Sequence, residues 1–480
     1  MAVFTDMQQF MEAATQWLGG VNDWLYYWIM IGALVGTGVV FTVRTRFAQL
    51  RHFAGMARYL LHSRQGANGG ISSFQAFAMG MSTRIGIGNI TGIALAMVLG
   101  GPGSLFWMWA VALVGMATGF AEATLAQIFK FRHRDGTFRG GPASYIMDGM
   151  KSRGLAVVFA SAMVFCMFVA MPMVQANTIA QVFVGAHGVA PWVIGLVIAG
   201  LTSLVLFGGV RRVAQATEVI SPLMALFYMC VAVIIIALNI SQVPQFFSDV
   251  FASAFGAQQA FVGTGSAFVA AVLNGTRRGL FSNEAGMGTA PNAAATATVD
   301  HPVQQGLIQA FGVFLDTVLI CTATGFIIST TGAIDYASVT PDDAAHITTD
   351  AITGTLGSWM AWPVSIMIFF FGFSSILGAY AYGEANLVFL KKSRPLELFS
   401  RAVLVVFTFV GSVLALTFVW TVMDTAMFVV TLLNLVALHG LSPWVAALLR
   451  DYENQTIRGL KPVFRAKNAD LPGEIPSDVW

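Results

Sequence analysis

Residues 274–291 read Asn274-Gly-Thr-Arg-Arg-Gly-Leu-Phe-Ser-Asn-Glu-Ala-Gly-Met-Gly-Thr-Ala-Pro291 and interrupt an otherwise apolar segment. A second apolar segment carries a related interruption, Met81-Ser-Thr-Arg-Ile-Gly-Ile-Gly-Asn-Ile-Thr-Gly92. Each puts glycine, polar and charged residues where a membrane-crossing helix would be at mid-depth. Glycine costs a helix interior about 1 kcal/mol relative to alanine, and proline about 3. A charge at the bilayer centre costs about 2.5 to 3.5 kcal/mol on insertion scales. Such breaks persist where the backbone lines a cavity or holds something. Helix packing through small residues is the other reading, because Gly88 and Gly92 are four apart, as are Gly275 and Gly279. It leaves Asn89, Asn283, Glu284, Arg84, Arg277 and Arg278 unexplained.

The rest of the chain sets these breaks in a membrane. Of its 480 residues 56% are hydrophobic and 10% charged, with a mean hydropathy of +0.73. Soluble domains carry about 25% charged residues, so a cytosolic enzyme, a disordered chain and a nucleic-acid binder are excluded. A helix needs about 20 mostly apolar residues to cross the hydrocarbon. Eleven segments qualify: 24–43, 72–99, 104–129, 155–182, 191–209, 216–239, 261–297, 304–331, 358–389, 398–419 and 424–447. The first lacks a basic n-region and an A-x-A cleavage site, so it is expected to be a retained span. Cys166, Cys230 and Cys321 each stand alone in apolar runs and read as small buried side chains.

Charge fixes an expected orientation. With the N-terminus outside, the segments 1–23, 100–103, 183–190, 240–260, 332–357 and 420–423 face out, and none holds a Lys or Arg. Twenty-two of the 25 basic residues fall on the other face, within 44–64, 130–153, 211–212, 391–401 and 450–467. That asymmetry is the positive-inside pattern of a cell membrane protein with a cytoplasmic C-terminus. Trp24, Trp28, Trp107, Trp192, Trp359, Trp362 and Trp420 lie near the expected outer ends. The three exceptions are Arg84, Arg277 and Arg278, at the breaks.

The breaks fall in spans two and seven, five spans apart, so two five-helix units would start with opposite orientations. Interrupted hydrophobic segments in corresponding halves point to a transporter site made of discontinuous helices. A weak internal echo accompanies this: Thr83-Arg84 followed by Asn89-x-x-Gly92, against Thr276-Arg277 followed by Asn283-x-x-Gly286.

At these residues the chain resembles the alanine or glycine:cation symporter family. The stretches are Gly86-Ile-Gly-Asn-Ile-Thr-Gly92, Gly100-Gly-Pro-Gly103, Gly115-Met-Ala-Thr-Gly-Phe-Ala-Glu122, Gly140-Gly-Pro142, Gln175-Ala-Asn177, Gly279-Leu-Phe-Ser-Asn-Glu-Ala-Gly286 with Ala290-Pro291, His301-Pro302 with Gln305-Gly306, and Trp420-Thr-Val-Met-Asp424. The resemblance implies an all-α polytopic fold with the LeuT-type five-plus-five inverted repeat in spans two to six and seven to eleven, span one being an addition. It divides the chain into 1–70, the extra helix and its connection; 71–240 and 241–450, the two repeats; and 451–480, a cytoplasmic tail. It further implies import of a small neutral amino acid such as alanine or glycine with sodium as the coupling ion, no cofactor, and substrate and cation at the unwound centres. Family members often have a Trp after the Leu-Gly pair of span nine, whereas Leu377-Gly378 is followed here by Ala379. A pocket-facing Ala379 would admit a larger or different side chain.

A zwitterion needs donors for its carboxylate and acceptors for its ammonium, and unwound helix halves supply both. The backbone of Gly86, Ile87 and Gly88, with Asn89, is therefore the expected carboxylate pole, faced by Phe281, Ser282, Asn283 and Gly286 of span seven. Gln175, mid-span in helix four, either joins the site or makes an interhelical hydrogen bond. Glu284 either bridges Arg277 or Arg278 or acts as a charge-sensitive gate, and the bridge is favoured. Sodium prefers oxygen ligands. By correspondence with the fold, Ser374 and Ser375 join the carbonyls of Ser82 and Ile85 in a sodium site, unless the two hydroxyls bond back to their own helix. Asp316 and Asn89 form a second candidate cation site, with an arginine partner or proton carriage as other roles for Asp316. Glu122 and Glu384 are functional candidates or neutralise basic neighbours, and His301 reads as structural.

Proton coupling through Asp316 or Glu284 is the alternative within transport. A membrane-embedded enzyme would need a catalytic constellation, and no HExxH or GxSxG is present. A channel fits two mid-membrane breaks in opposite halves less well than a carrier. Oligomeric state is left open.

Overall fold

The computed structural model describes residues 2–62, 71–132, 136–255, 266–336, 338–466, 469–475 and 479–480. Arg64, Arg134 and Lys467, and the beginning of span seven at 261–265, lie outside the described residues. The chain is a multi-pass helical membrane protein. Among the described residues the strands are one antiparallel ladder, Phe131–Arg132 with Phe138–Arg139.

Among the described residues, eight helices are long and apolar enough to cross a bilayer: Met11–Arg44, Ser104–Ile128, Arg153–His187, Gln215–Leu238, Pro302–Thr330, Ser358–Leu390, Arg394–Val413 and Leu416–Ile457. They coincide with expected spans one, three, four, six and eight to eleven. The expected span five corresponds to the shorter apolar helix Pro191–Leu206, whose 16 residues reach about 24 Å at ~1.5 Å per residue. Spans two and seven are interrupted, as their sequences require. Span two forms Ser73–Arg84, a single turn at Ile87–Asn89, and Thr91–Gly100. Its start is set by a capping box in which Gln75 N–H donates to Ser72 Oγ at 3.1 Å and Ser72 N–H to Gln75 Oε1 at 3.0 Å. Span seven forms Ser266–Asn283 and then the short helix Ala290–Ala294.

Two packing groups frame these breaks. Spans two, three, seven and eight pack on one another, and spans four and five pack on nine and ten. Span one lies against three and eleven. The packing reading of the glycines holds at Gly275, where a Cβ would lie 2.5 Å from the Ser104 carbonyl oxygen. It does not hold at Gly92, whose nearest neighbour would be the Trp420 ring at 3.7 Å.

Some expected boundaries move. The chain breaks between spans ten and eleven at Leu414 and Ala415, not at 420–423. The Asn177 amide donates to the Gly411 and Leu414 carbonyls at 2.9 and 2.7 Å, which satisfies carbonyls that a helix end leaves without partners. Span eleven then runs for 42 residues, so the region after 450 begins as helix. The segment beyond returns to the core: Phe464 N–H donates to Asp300 O at 2.8 Å and the Trp480 indole to Gln127 O at 3.1 Å. Cys230 is exposed rather than buried, on an apolar helix face, while Cys166 and Cys321 are buried. In the 332–357 connection, Thr340 N–H and hydroxyl donate to Asp343 and hold its carboxyl below the ordinary range.

Candidate functional site

The two breaks meet. A Cβ on Gly88 would lie 2.7 Å from the Phe281 ring, and one on Gly86 2.4 Å from Ser375 Oγ, so only glycine lets spans seven and nine approach the first break this closely. Gly86 N–H is consumed within the turn: it lies 2.9 Å from Arg84 O and 3.2 Å from Asn89 Oδ1. The N–H groups of Ile87 and Gly88 find no partner among the described residues. Of the three residues expected at the carboxylate pole, Gly86 therefore has its N–H already engaged.

Asp316 ties the breaks together from span eight. It sits in a π-helical stretch, Phe314–Cys321, the kind of irregular turn that re-aims side chains at functional sites. Asn89 Nδ2 donates to its Oδ1 at 2.6 Å, and Ser282 and Thr317 hydroxyls donate to its Oδ2 at 2.5 and 3.0 Å. Both carboxyl oxygens are thus engaged, by elements from both breaks. No arginine lies within ion-pair reach among the described residues, so the arginine role for Asp316 is not realised. Cys321 Sγ lies 3.1 Å from Ser282 Oγ and joins the site rather than merely filling space.

Glu284 makes a second tie. Its Oε2 accepts from Thr83 of span two at 3.2 Å and from Thr289 at 2.7 Å, and the Thr83 hydroxyl also lies 3.1 Å from Tyr382. The bridge to Arg277 or Arg278 is not formed. Arg277 pairs instead with Asp23 at 2.7 Å and lies over the Tyr26 ring, both in span one. Arg278 pairs with Asp424 at 2.5 Å and covers Trp420, both in span eleven. Tyr26 OH also donates to the Asp424 carbonyl at 3.0 Å. The carboxylates come from distant parts of the chain because Glu284 has left the helix: its φ is +56°, which turns it away from the preceding helical face. Arg84 is buried and donates to the Gln309 carbonyl and side chain at 3.3 and 3.1 Å.

Glu122 holds the second break open. Its two oxygens accept from Gly286 and Gly288 N–H, each at 3.0 Å, and from Asn434 Nδ2. Asn434 also donates to the Gly286 carbonyl at 2.9 Å and accepts from Tyr145. Gly286 and Gly288 have φ of +90° and +82°, conformations costly for other residues. Glu122 thus serves the backbone of the break, while Glu384 faces Arg139 at 3.8 Å.

The remaining candidates divide. Ser375 Oγ reaches both Ser82 O at 2.9 Å and Phe371 O at 3.0 Å, whereas Ser374 bonds back to Phe371 O at 3.0 Å. Only Ser375 is thereby joined to the first break. Asn283 turns its Oδ1 to Ala285 N–H at 3.0 Å, leaving its buried Nδ2 without a partner. Among the described residues Gln175 reaches only Met171 Sδ on its own helix, at 3.4 Å, and its buried Oε1 has no partner. One turn on, Ile179 and Ile87 both border Gly372, a Cβ there lying 2.6 and 2.8 Å from them, so this helix face lies near the first break. His301 caps a helix through Val303 N–H and pairs with Asp451. Asn434, Tyr382, Thr83 and Thr289 are additions to the set read from sequence; Thr83 carries a signal there through the internal echo, and Asn434 as an amide inside the apolar run of span eleven.

The chain is similar to several known transporters along nearly its whole length. The "Amino-acid carrier protein AlsT" of Bacillus subtilis is 42% identical, covering 93% of this chain and 94% of its own length. The "Probable sodium/glutamine symporter GlnT" of the same organism is 41% identical over 95% and 94%. The "Sodium/alanine symporter AgcS" of Methanococcus maripaludis is 37% identical over 88% and 94%. A likeness to a solved Na+-coupled sialic acid symporter, 14% identical over 90% of this chain and 86% of that one with a TM-score of 0.45, is too weak to carry an argument. The description of the sodium:alanine symporter family matches residues 11–466, and the chain belongs to that family.

Proposed function

We propose that the protein is a secondary transporter importing a small neutral amino acid, such as alanine or glycine, together with sodium by alternating access. The observation that carries the reading is Asp316, whose carboxylate receives Asn89 from one helix break and Ser282 from the other. The family and relatives named as a sodium/alanine symporter and an amino-acid carrier support it. These relatives are transporters rather than enzymes.

In this reading the substrate carboxylate takes the Ile87 and Gly88 N–H groups, and the Gln175 carbonyl oxygen accepts from the ammonium. Phe281, packed on Gly88 and 4.7 Å from the Trp420 ring centroid, supplies an apolar wall beside a small side chain. Ser375 and the Ser82 carbonyl, with Ile85, contribute to one sodium site; Asp316 and Asn89 contribute to a second. The family and the relative named as a sodium/alanine symporter favour sodium coupling over proton carriage. The relative named for glutamine keeps side-chain size open, as does Ala379. Eleven spans, two five-helix repeats at 71–240 and 241–450, an external N-terminus and a cytoplasmic C-terminus complete the proposal, supported by the basic-residue asymmetry.

Sodium-stimulated binding of labelled alanine or glycine to the purified protein tests the site. Ser375→Ala is expected to raise the sodium concentration for half-maximal binding about tenfold, the loss of roughly one hydrogen bond to a charged partner, with the order of substrates unchanged. An unchanged sodium dependence would remove Ser375 from the cation site.

A further inference from the structure

A cavity of about 290 Å³ lies between the first half of span two, span six and the π-helical stretch of span eight. Phe77, Met81 and Ile85 form one wall, Ala225 and Met229 another, and Leu315 and Ile320, on either side of Asp316, the third. Ser221 is the polar side chain among the lining residues; it is 3% exposed and its hydroxyl has no hydrogen-bond partner among the described residues. Pro222 follows it inside the helix and has no N–H to give to the carbonyl four residues earlier.

The surroundings identify the medium at the mouth. Leu319 in the lining is 42% exposed, and Val219, Leu223 and Leu226 on the same stretch of span six are 66%, 56% and 64% exposed. In a multi-pass membrane protein such an apolar exposed face meets hydrocarbon. Water would find one hydroxyl there and little else, and apolar cavities of this kind stay dry. A hydrocarbon chain fills the space without desolvation.

We infer that this groove is a binding site for one acyl chain of a bilayer glycerolipid, with the ester carbonyl accepting from Ser221. The chain wedges beside Ile85 and Ile320, against the two elements that carry the first break and Asp316. The inference rests on the membrane location of the chain and stands independently of the transport reading.

The test uses the intact protein in phosphatidylethanolamine and phosphatidylglycerol vesicles doped with a phospholipid that carries a diazirine on its acyl chain. After illumination, adducts on peptides containing Met229 and Leu315 to Ile320 are expected at about fourfold the level at Val436, an exposed apolar control, fourfold being the factor that one buried methylene is worth. Ala225→Trp fills the groove and is expected to bring these adducts to the control level while leaving Val436 labelling unchanged. Ala78→Leu fills it from span two and gives the same result if the first variant does not fold. Labelling equal to the control in the unaltered protein, or labelling that survives in either folded variant, would overturn the site.

Discussion

Asp316→Asn is expected to raise the sodium concentration required for alanine uptake by about 10- to 100-fold while the protein still folds. Asparagine keeps the shape of the side chain: its carbonyl can still accept from Asn89, and the Ser282 hydroxyl can turn to accept from its amide. What is lost is the negative charge. Hydrogen bonds to a charged group are about twice as strong as neutral ones, roughly 1.5 to 3 kcal/mol each, so neutralising a group that receives Asn89 and Ser282 costs about 1.5 to 3 kcal/mol, or the stated fold-change. A cation placed beside Asp316 would lose its strongest ligand as well. The check is a sodium titration of labelled-alanine uptake in vesicles, with monodisperse elution in detergent showing that the variant is folded. Sodium dependence within about twofold of the unaltered protein would separate Asp316 from the coupling ion.

The largest effect on stability is expected at Glu122. Glu122→Ala leaves the Gly286 and Gly288 N–H groups, and one Asn434 bond, without their acceptor in a fully buried position. A buried group deprived of its partner costs about 1 to 3 kcal/mol, so the sum over the three is about 3 to 9 kcal/mol against a typical total of about 5 to 15. Glu122→Gln keeps one acceptor oxygen and turns an amide toward one of the glycine N–H groups, so it should fall between. The order of apparent thermal midpoints in detergent is therefore Glu above Gln above Ala, with transport lost in the last. An alanine variant as stable as the unaltered protein would show that the positive-φ glycines do not depend on this carboxylate.

The break positions are legible in sequence because membrane helices do not carry Gly-Asn or Arg-Arg-Gly at mid-depth without cause. The partners of those arginines are not legible. Asp424 lies 146 residues from Arg278, and Asp23 belongs to span one, which the resemblance treats as an addition. Through Asn22, Asp23 and Tyr26 that span grips Thr421, Arg277 and Asp424. Local pattern also misplaces the start of span eleven. Leu414 and Ala415 look like continuing helix, and the chain breaks there because Asn177, more than 230 residues earlier, takes the terminal carbonyls. The same limit applies to Glu122, where burial and charge mark a functional candidate but only the fold reveals that backbone N–H groups of the second break are what it binds.

A sodium gradient is expected to drive amino-acid movement through the joined breaks. The most direct measurement is uptake of labelled alanine and glycine into liposomes holding the purified protein, under an inward sodium gradient, an inward proton gradient, or neither. Accumulation with the sodium gradient alone is the expected result. Uptake that ignores sodium and follows the proton gradient would contradict it.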